Sequence, residues 1–153
     1  LAYYATDGDL DDVRSELAKG PDHEALDNAV SRAAQYDNVP ALELLLEAGA
    51  DMRDETSPAE HRRCALVGNS YEFIKMAVDH GVGPENCANG EAAVWEAARF
   101  SESDGEAAKI IGLLIEAGWS ATAIREYDER TPAQLAAEKE WTETAAILAA
   151  AAG

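Results

Sequence analysis

Four glycines, Gly20, Gly49, Gly81 and Gly118, recur at intervals of 29, 32 and 37 residues, averaging about 33. Each closes a stretch in which large apolar residues return every three or four positions, as around Val13 and Leu17 or Leu42, Leu45 and Leu46. The same spacing appears around Ile74 and Val78, and around Ile111 and Ile115. That spacing is helical. Each Gly stands three positions after the last large apolar residue. A helix C-terminus there favours a residue that enters the left-handed region without steric cost. No period-two run is long enough for a strand. The expected fold class is therefore all-α, and a period in this range marks a repeated helical unit.

Small residues recur in the same phase. Tyr4-Ala5, Ala33-Ala34 and Ala65-Leu66 lie fifteen or sixteen positions before their glycines. Ala97-Ala98 plays that part five residues further from Gly118, and Ala136-Ala137 precedes Ile147-Leu148. Alanine makes up 32 of the 153 residues, and small residues let the two helices of an antiparallel hairpin approach closely. The expected organisation is one domain of about five units, approximately 1–20, 21–52, 53–85, 86–122 and 123–153.

With these residues in phase, the chain resembles the ankyrin repeat family. That signature combines a Thr-Pro-Leu-His-x-Ala-Ala first helix with a Val-x-x-Leu-Leu second helix ending in Gly-Ala-Asp. The fifth unit offers Thr131-Pro132-Ala133-Gln134-Leu135-Ala136-Ala137, and the second offers Leu44-Leu45-Leu46-Glu47-Ala48-Gly49-Ala50-Asp51. The first supplies Ala5, Gly8-Asp9-Leu10, Val13, Leu17 and Gly20, and the fourth opens on Asn89-Gly90. The resemblance implies an α-solenoid of stacked helix-turn-helix units whose outer members act as caps. It also implies a protein–protein interaction scaffold that binds a partner protein or peptide on a concave face.

The departures are specific. In the third unit Ser57-Pro58 sits three residues early, and Arg62 and Arg63 replace residues that are usually apolar or His. In the fourth, 99–106 is expected to form a longer connection between helices than the family uses. The first unit opens inside its first helix, as expected of a segment cut from a longer protein or of one that has lost its opening turn.

Thirty Asp and Glu against 12 Lys and Arg give a net charge of −18. That argues against nucleic acid, whose phosphates need clustered cations, and against an anionic membrane surface. No apolar run approaches the roughly 20 residues of a membrane span. Two cysteines, Cys64 and Cys87, make no disulfide framework and suit a reducing, cytoplasmic setting. The acidic field would attract a partner that is basic where it docks.

Chemistry-bearing motifs are sparse. Asp7 to Asp12 resembles the opening of a calcium loop, but Asp12 and Ala18 stand where the loop needs Gly and Glu. Asp9 is better read as a helix cap. His61 and Cys64 are three apart on one expected helix, yet a closed zinc site needs four ligands. His80, just before Gly81, suits the negative end of a helix dipole. No P-loop, nucleophile elbow or zincin motif occurs. Neither metal nor cofactor is expected, and an enzyme is not the favoured class.

The candidate binding residues are Tyr36, Arg63, Trp95, Arg99, Phe100, Tyr127 and Arg130. Glu91, Trp95 and Arg99 share one helix face at i, i+4 and i+8. In the ankyrin comparison Trp95 takes the place of the family's His. Arg63 holds the corresponding place in the third unit, and Tyr127 and Arg130 fall on a turn. Trp, Tyr and Arg are the residues of interface hot spots. Trp95 and Phe100 have a competing reading, in which a degenerate repeat refills its own core. The alternative function is a small-molecule site or enzyme in the groove of the third and fourth units. His61 or Glu96 would then be the acid–base candidates, with arginines holding an anion. A purely structural segment of a longer chain is the third possibility.

Overall fold

The structure, a computed structural model, describes residues 1–52, 70–86 and 92–152. Among these residues regular structure is helical, apart from an isolated antiparallel bridge between Arg125 and Asp128. The fold is all-α. The chain divides into two compact units, Leu1–Val82 and Gly83–Gly153.

The first unit contains α1 (Tyr4–Asp7), α2 (Leu10–Ala18), α3 (His23–Gln35), α4 (Val39–Glu47) and α5 (Tyr71–Asp79). Helices α1 and α3 pack side by side, α2 packs on α4, and α4 packs on α5. The second unit opens on a 3₁₀ turn, Pro84–Asn86. It continues with α6 (Ala93–Phe100), α7 (Asp104–Glu116), α8 (Pro132–Glu138) and α9 (Thr142–Ala152). Here α6 packs on α8 and α7 on α9, while α6–α7 and α8–α9 form hairpins. Within each unit, first helices therefore lie in one layer and second helices in another.

Side chains at the helix starts explain why the helices begin where they do. Asp9 accepts from the Asp11 amide at 2.8 Å, Asp22 from Ala25 at 2.9 Å and Asn38 from Ala41 at 3.2 Å. Ser70, Ser103 and Thr131 accept from the amides of Phe73, Glu106 and Gln134. Each interaction satisfies one amide that has no partner inside the helix. Asp9 thus serves the capping role expected of it.

The four periodic glycines end α2, α4, α5 and α7 with φ of 70°, 100°, 89° and 103°. In the last three, the residue after Gly donates to the carbonyl five positions earlier, as Trp119 does to that of Leu114 at 3.0 Å. After Gly20 that bond is absent because Pro21 has no amide hydrogen. His80, preceding Gly81, brings its Nδ1 within 2.8 Å of the Met76 carbonyl.

The expected long connection at 99–106 is different in the structure. Only Ser101 to Ser103 separate α6 from α7, and Asp104 to Glu106 form the first turn of α7. Helix α7 has 13 residues where α2, α4 and α5 each have 9, so the extra sequence becomes about one helical turn. The wider interval before Gly118 therefore keeps the face of α7 in phase.

Bonds between neighbouring hairpins join residues 32 to 40 positions apart. Asn38 Nδ2 donates to the carbonyls of Ala5 and Thr6, and Asp37 accepts from both the amide and hydroxyl of Ser70. Asp104 accepts from the amides of Glu143 and Thr144 at 3.0 and 2.8 Å and from the Thr144 hydroxyl at 2.7 Å. It caps α9, before which Trp141 has no carboxylate or hydroxyl to offer. Ala33, Ala34, Ala97, Ala98 and Ala136 are buried, and Ala137 is exposed. Leu42, Leu45, Phe73 and Ile74 fill the first unit's core, while Ile111, Leu114, Leu135 and Leu148 help to fill the second. Among the described residues no helix is long and apolar enough to cross a membrane.

Candidate functional site

Five of the seven candidate binding residues come together in the second unit. Helix α6 places Trp95 inward and Arg99 and Phe100 at its exposed C-terminal end. The turn from Gly118 to Thr131 brings up Tyr127 and Arg130. Trp95 is only 1 % exposed, and its Nε1 donates to the Arg130 carbonyl at 2.9 Å. Its ring meets Phe100 edge-on at 6.1 Å and Tyr127 edge-on at 5.8 Å.

Burial corrects the surface reading of Trp95. An indole inside a helix hairpin, with its N–H satisfied by backbone, anchors the core and offers no contact surface. Phe100 and Tyr127 divide the other way, at 56 % and 77 % exposed. The competing reading, in which Phe100 refills the core, does not hold at that exposure. The buried indole braces two aromatic rings that face solvent.

Arg99 is exposed and lies 5.3 Å from the centre of the Phe100 ring. Arg130 is engaged within the unit. Its Nε and Nη2 meet the Asp128 carboxylate at 2.5 to 3.1 Å, and its Nη1 meets Glu138 at 2.7 Å. The Arg130 guanidinium holds the Asp128 carboxyl down at about 2, with the Arg130 amide adding to the effect. Arg130 thus shapes the turn more than it offers a free cation.

Lys139 is a residue that the sequence reading did not select. Its Nζ donates to the carbonyls of Ala98 and Arg99 at 2.7 and 2.8 Å, capping the C-terminus of α6 from the neighbouring hairpin. It also lies 4.1 Å from the Trp141 ring centre. Burial, then the charges of Arg99 and Arg130, push its pKa below the ordinary lysine value. The available sequence signal was its place, since it immediately follows the last residue of α8.

The remaining candidates lie elsewhere. Tyr36, 52 % exposed, lines an open groove of about 330 Å³ in the first unit with Thr6, Asp37 and Asn38. Arg63, together with His61, Arg62, Cys64, Cys87 and Glu91, lies outside the described residues. Glu96, an acid–base candidate of the alternative reading, is ion-paired with Arg125. Among the described residues no group of three or more His, Cys, Asp or Glu is arranged to hold a metal ion. The chain matches no protein-family model. A search of characterised proteins likewise gives no match.

Proposed function

We propose that this chain is a stack of ankyrin-type helix pairs, an α-solenoid that serves as an interaction scaffold for a partner protein or peptide. One observation carries the binding role: two large, exposed aromatic rings, Phe100 and Tyr127, braced on a buried Trp95 with Arg99 beside them. Rigid aromatic side chains lose little conformational entropy on binding and dominate interface energetics. The repeat reading is supported by the glycine-ended second helices and by inter-hairpin bonds such as Asn38 to Ala5, 33 residues apart. The charge of −18 adds a long-range field that favours a net-basic partner and raises its association rate. The cytoplasm is the setting that two cysteines in 153 residues suit best.

The test is differential capture from lysate. The intact chain and its Phe100→Ala/Tyr127→Ala variant are immobilised at equal density, and retained proteins are identified by mass spectrometry. A specific protein held by the first and lost by the second, with matching melting temperatures, supports the reading. Equal retention by both would remove this surface from the function.

A further inference from the structure

Residues 83–153 contain five Lys and Arg against 13 Asp and Glu. Four of those five cations, Arg99, Arg125, Arg130 and Lys139, stand around the Trp95 cluster. Two are matched by carboxylates, Arg125 by Glu96 and Arg130 by Asp128 and Glu138. Among the described residues, Arg99 and Lys139 make no ion pair. Their charges remain while most of the unit is acidic. Arg99 acts on both neighbours, disfavouring the Lys139 ammonium and favouring the Asp128 carboxylate.

Geometry separates the two cations. Lys139 spends its ammonium on the end of α6 and is half-buried. Arg99 is exposed and lies against Phe100. With no ion pair among the described residues, its planar N–H fork can match a carboxylate. Phe100 supplies exposed apolar surface beside it, and the exposed Tyr127 ring packs edge-on against the same Trp95 indole.

We infer that this surface takes a peptide segment presenting one Asp or Glu carboxylate beside a large apolar side chain. The carboxylate docks on the Arg99 guanidinium and the apolar side chain against Phe100 and Tyr127. This rests on the scaffold reading and names the partner's chemistry at the anchor. The surrounding acidity restricts the segment further. A polyacidic run would be repelled, so the residues flanking the anchor are neutral or basic.

The test pans a phage-displayed random decapeptide library on the intact chain. Enriched peptides are synthesised and titrated against the unaltered chain and against Arg99→Ala, Phe100→Ala and Tyr127→Ala. The altered side chains are exposed, and equal melting temperatures establish that each variant is folded. The expected consensus has one acidic residue next to an aromatic or branched aliphatic one. Arg99→Ala weakens binding about tenfold, as expected for a hydrogen bond between charged groups. Replacing the peptide carboxylate by its amide has the same effect on the unaltered chain and little further effect on Arg99→Ala. Peptides that depend on Phe100 or Tyr127 but lack an acidic residue, or ignore Arg99→Ala, would overturn the carboxylate and leave the scaffold reading standing. Enrichment of no peptide sensitive to any of the three variants would overturn both.

Discussion

Replacing Trp95 by Ala tests the division of labour between the buried indole and the exposed rings beside it. The side chain is 1 % exposed, packs edge-on against Phe100 and Tyr127, and donates to the Arg130 carbonyl. Truncating a core Trp to Ala costs about 3–5 kcal/mol through lost burial and the cavity left behind. The missing Nε1–H bond accounts for about 1 kcal/mol of that range. In a chain of 153 residues each kcal/mol moves the melting temperature by about 2–4 °C, so the expected fall is about 6–20 °C. Urea titration followed by circular dichroism gives the free energy, and calorimetry the midpoint. Trp95→Phe keeps a ring but removes the donor, so its cost should lie between those of Ala and the unaltered chain. Arg99→Ala, one helical turn further along the same helix, should stay within about 0.5 kcal/mol. A Trp95→Ala variant that loses less than about 1 kcal/mol would refute the reasoning, because a buried bracing role requires a stability cost.

Gly20 has φ of 70° and nothing within 4 Å of an added methyl group, so Gly20→Ala isolates backbone strain. It should cost about 1–2 kcal/mol by chemical denaturation; no loss would mean the left-handed requirement is not decisive. The Asp128 carboxyl, held near 2 by Arg130, lies below its ordinary value of 3.8. Its stabilisation is therefore present above the unfolded-state value and is lost as pH falls through about 2. Asp128→Asn should flatten the acid limb of stability against pH between about 4 and 2, and an unchanged slope would contradict the pairing. Burial opposes ionisation of Asp104, but bonds from Thr144 and Glu143 outweigh it and hold its carboxyl below the usual range. Asp104→Ala should speed amide hydrogen exchange at Glu143 and Thr144 while leaving α8 protected. Unchanged exchange at those two amides would show that α9 needs no cap from the neighbouring hairpin.

Much of the local architecture was legible in the chain. The glycine phase identified where α2, α4, α5 and α7 end, because left-handed φ is a local requirement that Gly meets most easily. The Asp, Asn, Ser and Thr caps are local for the same reason. Ala33, Ala34, Ala97 and Ala98 are buried as a close hairpin contact requires, although only Ala136 of its pair is buried and Ala65-Leu66 lies outside the described residues. The candidate cluster was legible as a set of names, with Arg99, Phe100, Tyr127 and Arg130 all selected beside Trp95. Its internal arrangement was not. Periodicity places a residue on a helix face, but what covers that face comes from a turn some 30 residues away.

Composition and spacing alone determined an acidic, all-α chain whose helices have defined ends, since charge is a sum over the sequence and helix ends depend on neighbours within a turn or two. Tertiary structure decided that Trp95 lies inside while Phe100 and Tyr127 remain outside, and that Arg130 is held by carboxylates while Arg99 makes no ion pair among the described residues. It also turned the expected long connection into an extra turn of α7 and gave Asp104 a helix to cap forty residues away. Burial and charge pairing depend on atoms brought together across hairpins, and that distance in sequence hides them from a reading along the chain.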